Sequence, residues 1–200
     1  MGHFRYYIKM LYWRYSAFRM RRFKRLFDSR PADAYSPKWH KLWNLYWRIK
    51  KYKPETVVEF GSGCSTIIIG QALYENRKGH LFAYDESEKW KKVTENSLPA
   101  HVKNFVTVFY APKKETEYQG VQGFYFDGDV KHADFVYLDG PELLPDRLVA
   151  VDILLMQNRP TYIVVDSRKS NCNFLRQHLS GHAFSFNWLN NQSLFIKKEG

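Results

Sequence analysis

Residues 57 to 66 read Val-Val-Glu-Phe-Gly-Ser-Gly-Cys-Ser-Thr: an apolar run breaks into a Gly61-x-Gly63 turn, and a helix start follows. Glycines at such a turn let the backbone bend tightly and approach a ligand that a Cβ would obstruct. The helix behind them offers unpaired backbone N–H groups to a polar or anionic group. Asp85 stands 24 positions after Gly61, ends a second apolar run and has Glu86 beside it. That spacing suits an acid accepting hydrogen bonds from ribose hydroxyls. Asp139 and Asp166 each close a later apolar run, Phe135-Val136-Tyr137-Leu138 and Tyr162-Ile163-Val164-Val165. Paired acids at two strand ends can chelate a divalent cation that lowers the pKa of a hydroxyl, or one of them can act as a general base. The set points to an enzyme that handles a nucleotide-like ligand.

The elements that must position these residues follow from pattern and punctuation. Apolar runs predict strands at 56–60, 80–84, 105–110, 134–138 and 161–165, with helices at 65–76, 87–97, 146–157 and 170–180 between them. Regular alternation argues a doubly wound α/β fold with a mostly parallel sheet covered on both faces. Ala183 to Leu189 and Ser193 to Lys197 flank Asn190-Asn191-Gln192 and read as a C-terminal antiparallel hairpin. Ahead of the first strand, Ser36 as N-cap, Pro37 in the first turn and Pro54 at the end frame a helix with Trp39, Leu42, Trp43, Tyr46 and Ile49 on one face. Residues 4 to 27 lack Pro and Gly and read as one further helix. Residues 113 to 132 read as a long loop, either a lid or surface decoration. Two units result: a basic, aromatic helical extension over 1–35 and a catalytic body over 36–200.

The order and spacing of Glu59-Phe60-Gly61-Ser62-Gly63-Cys64-Ser65-Thr66, Asp85, Asp134-Phe135-Val136-Tyr137-Leu138-Asp139-Gly140-Pro141 and Tyr162-Ile163-Val164-Val165-Asp166 resemble those of the class I S-adenosylmethionine-dependent methyltransferases. The resemblance covers residues 36 to 200, terminal hairpin included. It implies a Rossmann-like fold and S-adenosyl-L-methionine as cofactor. It also implies roles: the Glu59, Gly61, Ser62, Gly63 turn and the Ser65-Thr66 helix start hold the methionine portion. Asp85 and Glu86 serve the ribose, Tyr110 and Ala111 lie by the adenine, and Asp139 stands between cofactor and acceptor. Two departures stand out: Ser65 replaces the usual third glycine, and Tyr110-Ala111 lacks the acid many relatives carry there. A dinucleotide dehydrogenase is the nearest competitor, but its fingerprint wants Gly or Ala where Thr66 stands, and the C-terminal hairpin fits it poorly.

Asp139 and Asp166 are the candidate catalytic residues. Similar positions carry metal ligands in catechol-type O-methyltransferases, where an Asn follows the second Asp; here Ser167 follows, and the expectation is a site without metal. A purely structural reading stays open, with Asp139 capping the Gly140-Pro141 turn and Asp166 pairing with Arg168 or Lys169. Asp139-Gly140-Pro141-Glu142 differs from the Asn-Pro-Pro or Asp-Pro-Pro of enzymes that methylate base nitrogens. That favours a hydroxyl or carboxyl on a small molecule or glycan over a nucleic-acid base. The alternatives are a methyltransferase-like binding module without activity and a nucleic-acid methyltransferase.

Composition bounds the rest. Two hundred residues with 44% apolar content suit one domain and an appendage. Two cysteines exclude a disulfide framework, and no apolar stretch has the length of a membrane span, which leads to an expected cytoplasmic location. Residues 1 to 30 hold nine Lys or Arg against Asp28 alone, a charge of +8 out of +11 for the chain, together with nine aromatics. Three readings stay open for this segment: packing on the body or on a second copy as a homo-oligomer, lying in an anionic membrane interface, or gripping nucleic-acid phosphates.

Overall fold

The computed structural model describes residues 2–126, 132–140 and 151–198. Five apolar runs form parallel strands: β1 (Thr56–Phe60), β2 (His80–Asp85), β3 (Val106–Tyr110), β6 (Phe135–Leu138) and β7 (Tyr162–Asp166). The chain ends in an antiparallel pair, β8 (His182–Asn187) and β9 (Gln192–Lys197), and the seven strands lie in the order β3-β2-β1-β6-β7-β9-β8. The expected α/β class and terminal hairpin are therefore both present. The order reverses between β1 and β6, and open α/β sheets bind ligands beyond the strand ends at such a point.

Val57, Val58, Phe60 and the whole run Phe135 to Leu138 are buried because helices cover both faces of the sheet. On one face lie α2 (Trp39–Tyr52), α3 (Cys64–Asn76) and α4 (Glu88–Ser97); Leu45, Ile49, Ile67, Ile68 and Ile69 are fully buried there. Each such side chain contributes about 1.5–3 kcal/mol of burial. On the other face, Phe60, Phe126, Val136, Ile153 and Leu175 form a second cluster. Its covering elements include α5 (Asp152–Leu155) and α6 (Lys169–His178). The helix expected at 146–157 is seen as α5, and residues 146–150 lie outside those described.

Three local expectations are corrected. Residues 113 to 132 do not form a plain loop: β4 (Lys113–Tyr118) and β5 (Val121–Phe126) pair as an antiparallel hairpin, with 127–131 outside the described residues. Gln119 (φ 51°) and Gly120 (φ 80°) make its two-residue turn, the left-handed pair that matches strand twist. The helix expected over 4–27 is α-helical only as α1 (Gly2–Met20) and tightens to a 3-10 helix over Arg21–Phe27. Three residues per turn align Met20, Phe23 and Leu26, which all pack into the core. Ser36 is not the cap of α2; Lys38 stands there and makes no side-chain capping bond.

The extension is joined to the body. Met20 and Phe23 belong to the core, Trp13 stacks on His40 at 4.3 Å, and its Nε1 donates to the Leu189 carbonyl at 2.9 Å. The opposite side of α1 is open. Phe4, Tyr7, Leu11, Tyr15 and Phe18 recur at three- and four-residue steps and are between 49% and 72% exposed. Such steps place them on one helix face.

Candidate active site

A cleft of about 840 Å³ opens at the carboxyl ends of β1, β2, β6 and β7. Its floor is the glycine turn. Gly61 has φ +96°, and a Cβ there would lie 2.7 Å from the Gly140 nitrogen; a Cβ on Gly140 would lie 2.6 Å from the Gly61 Cα. The two loops touch backbone to backbone, and the N–H groups of Asp139 and Gly140 both donate to the Phe60 carbonyl. Gly63 then starts α3, whose N-terminus opens into the cleft beside Cys64 and Ser65.

Glu59 is fully buried beneath this turn and does not line the cleft. Its Oε2 accepts from the Thr66 hydroxyl at 2.7 Å, and Thr66 Oγ1 accepts in turn from the Gly63 N–H at 2.8 Å. Burial pushes the Glu59 carboxyl up to about 8. Glu59 and Thr66 thus brace the turn from behind, while Gly61, Ser62, Gly63 and Ser65 face the ligand space.

Asp85 lines the next wall with Glu86 and Ser87. Its Oδ2 accepts from Ser62 Oγ at 2.5 Å and its Oδ1 from the Ser87 N–H at 2.9 Å. A carboxylate has about four acceptor sites, so capacity remains for hydroxyls in the cleft. Burial raises its pKa. Glu86 pairs with Lys113 of the β4–β5 hairpin at 2.7 Å, and Phe126 from the same hairpin also lines the cleft. Ala111 is buried and Tyr110 is half exposed; neither is among the lining residues.

Asp139 and Asp166 meet at the far end. Asp139 is exposed and lines the cleft, with the surrounding protein removing part of its hydration. That desolvation, then the charge of the facing Asp166 and competition for a shared proton, raise its carboxyl to about 6. Asp166 is buried, and its Oδ2 accepts from Lys41 Nζ at 2.6 Å. The same ammonium donates to Ser167 Oγ at 2.8 Å. Arg168 donates to the Asp139 carbonyl. The partner found for Asp166 is therefore a lysine from α2, 125 positions earlier, beside the Arg168 that the sequence placed near it.

Two cations of this site escaped the sequence reading: Arg30 and Lys41 line the cleft together with Arg168. The Arg30 guanidinium overhangs the glycine turn, 3.8 Å from the place a Gly63 Cβ would take. Its Nε and Nη1 are buried and have no hydrogen-bond partner among the described residues. The even spacing of Lys and Arg through residues 1–53 hides them; only the break at Pro31 and the α2 register distinguish these two from solvated neighbours. The described residues hold no group of three or more His, Cys, Asp or Glu placed to bind a metal ion. The residues present fit a metal poorly, because Asp166 Oδ2 and Ser167 Oγ are both engaged by an ammonium.

A profile described as a methyltransferase domain matches residues 58–170, from β1 into α6. No curated protein matches the chain. Among solved structures, the human methyltransferase 10 domain containing protein superposes with a TM-score of 0.59 at 11% identity, covering 95% of this chain and 97% of that one. A methyltransferase from Geobacter sulfurreducens gives 0.54 at 14% identity over 78% and 77%. TomG from Streptomyces achromogenes, an O-methyltransferase of tomaymycin synthesis solved with S-adenosylmethionine, gives 0.51 at 13% over 94% and 90%. At such identities the superpositions speak for the fold, and the profile speaks for the family. The glycine turn, the acid ending β2 and the sheet order agree with both: the chain belongs to the class I S-adenosylmethionine-dependent methyltransferases.

Proposed function

We propose that the protein transfers a methyl group from S-adenosyl-L-methionine to an oxygen of a small molecule or glycan. The donor and acceptor set of the cleft fits the cofactor. Gly61, Ser62, Gly63 and Ser65 present backbone and hydroxyl groups to its methionine portion, Arg30 offers free guanidinium N–H groups to a carboxylate, and Asp85 has acceptor capacity for ribose hydroxyls. When bound, the cofactor supplies a methyl group on a sulfonium sulfur, which departs with the bonding electron pair.

The observation that carries the oxygen-acceptor reading is the Asp139–Asp166 pair. Asp139 titrates at about 6 and so is mostly ionised at neutral pH while still a competent proton acceptor. It takes the acceptor proton as the oxygen bonds to the methyl carbon. Much of the remaining acceleration comes from alignment, which a methyl transfer demands above all. The glycine after Asp139 supports the same reading, since no aromatic stands there to stack on a base. Radiolabelled methyl transfer to a panel of phenols, sugars, carboxylic acids and oligonucleotides tests it. Alkali-stable or alkali-labile label on an oxygen acceptor supports the proposal, and label only on oligonucleotide contradicts it.

We also propose that α1 rests on an anionic lipid surface. Its stripe of Phe4, Tyr7, Leu11 and Phe18 is exposed, with Tyr15 at its edge against Trp43 of α2, and the surrounding segment carries +8. A helix with an apolar face and flanking cations settles in the interface plane. Among the described residues no helix is long and apolar enough to cross a membrane.

A further inference from the structure

Lys41 engages the acid that ends β7. In catechol-type O-methyltransferases, which these strand-end acids resemble, similar positions carry the metal ligands. Here the Lys41 ammonium reaches from α2 onto Asp166 Oδ2 at 2.6 Å and Ser167 Oγ at 2.8 Å, and it lines the cleft beside Asp139. An ammonium has three donors. Two are used by these contacts, and the third remains for a group in the cleft.

We propose that the Lys41 ammonium is the resident cation of the acceptor site, standing in for a divalent ion and donating its remaining N–H to the acceptor oxygen. The proposal rests on the methyltransferase reading and deepens it. Asp166 holds the ammonium in place, Ser167 completes its shell where relatives carry an amide, and Asp139 stays available for the proton. The positive charge beside the acceptor oxygen favours its ionised form, as a metal would. Burial of both partners, with side chains 11% and 7% exposed, keeps water from screening the pair.

A manganese titration followed by the loss of the free-ion electron paramagnetic resonance signal tests this with the full chain. The wild type should show no saturable binding at millimolar ion. Lys41→Ala should gain one site at about 10⁻⁴ M, the range of modest carboxylate sites, and Lys41→Ala with Asp166→Asn should lose it. Lys41→Asn, which keeps a donor for Asp166, serves as the second variant if the alanine form does not fold. Saturable binding by the wild type that Asp166→Asn removes would overturn the proposal, and so would absence of a gained site in both folded lysine variants. A parallel titration of the wild type with S-adenosylhomocysteine keeps a failure of the methyltransferase reading distinct from a failure of this one.

Discussion

Gly61 and Gly140 meet backbone to backbone, closely enough that a Cβ on either would come within 2.7 Å of the other's main chain. This contact joins the loops after β1 and β6 and so sets the distance between the glycine turn and Asp139. Gly61 also has φ +96°, a conformation that only glycine adopts without strain. Gly61→Ala should therefore cost about 1–3 kcal/mol in a urea melt. Its affinity for S-adenosylhomocysteine should fall further than that of Gly120→Ala, whose Cβ would meet nothing within 4 Å.

Asp85→Ala should weaken S-adenosylhomocysteine binding by about 1–3 kcal/mol, because ribose hydroxyls lose a charged acceptor. Ser62 Oγ and the Ser87 N–H lose theirs as well. Calorimetry on the folded variant reads the change, and unchanged affinity would remove Asp85 from the site.

Asp139→Asn should lower turnover on the acceptor found by the radiolabel screen by about 10²-fold or more, with S-adenosylhomocysteine affinity within a few-fold of wild type. With Asp139 at about 6, the wild-type rate should rise as pH passes through 6 and level off above it, since the base must be ionised. A flat profile from pH 5 to 8 would contradict the role.

Stability should have its own pH dependence. Burial holds the carboxyls of Glu59 and Asp152 up to about 8 and about 7 in the folded protein. Unfolded, both titrate near about 4. The folded state thus keeps protons that the unfolded chain has released, and the stabilisation, full below about pH 4, is lost as pH rises through 7 and 8. Glu59→Gln, which still accepts from Thr66, should flatten the upper part of this dependence. Its melting temperature relative to wild type should be higher at pH 8.5 than at pH 5.

Vesicle co-sedimentation reads the exposed face of α1. Truncation is a poor probe, because Trp13, Met20 and Phe23 hold this segment to the body. Phe4→Ser with Leu11→Ser and Phe18→Ser alters only exposed positions. The wild type should pellet with anionic vesicles and less with neutral ones, and the triple variant should stay in the supernatant. Equal recovery of both in the supernatant would remove the lipid contact.

Much of the fold is legible in the sequence, because parallel strands buried on both faces appear as unbroken apolar runs, as in Val57-Val58 and Ile163-Val164-Val165. Gly61-x-Gly63 and Asp85 are legible for a similar reason: local backbone geometry demands them within one βαβ unit. The cationic half of the site is not. Lys41 and Asp166 lie 125 positions apart, and only the packing of α2 against the sheet brings them together. The β4–β5 hairpin is masked by polar, exposed residues such as Glu115 and Glu117, since its strands leave one side to solvent. The two sides of α1 merge in the sequence, because aromatics serve both the packed face and the open one.

The central claim is cofactor use, and calorimetric titration of the intact chain with S-adenosylhomocysteine tests it most directly. One site of micromolar affinity, weakened by Asp85→Ala and left without competition by NAD, is the predicted result. No binding of S-adenosylhomocysteine by folded protein, with or without binding of NAD, would contradict the account.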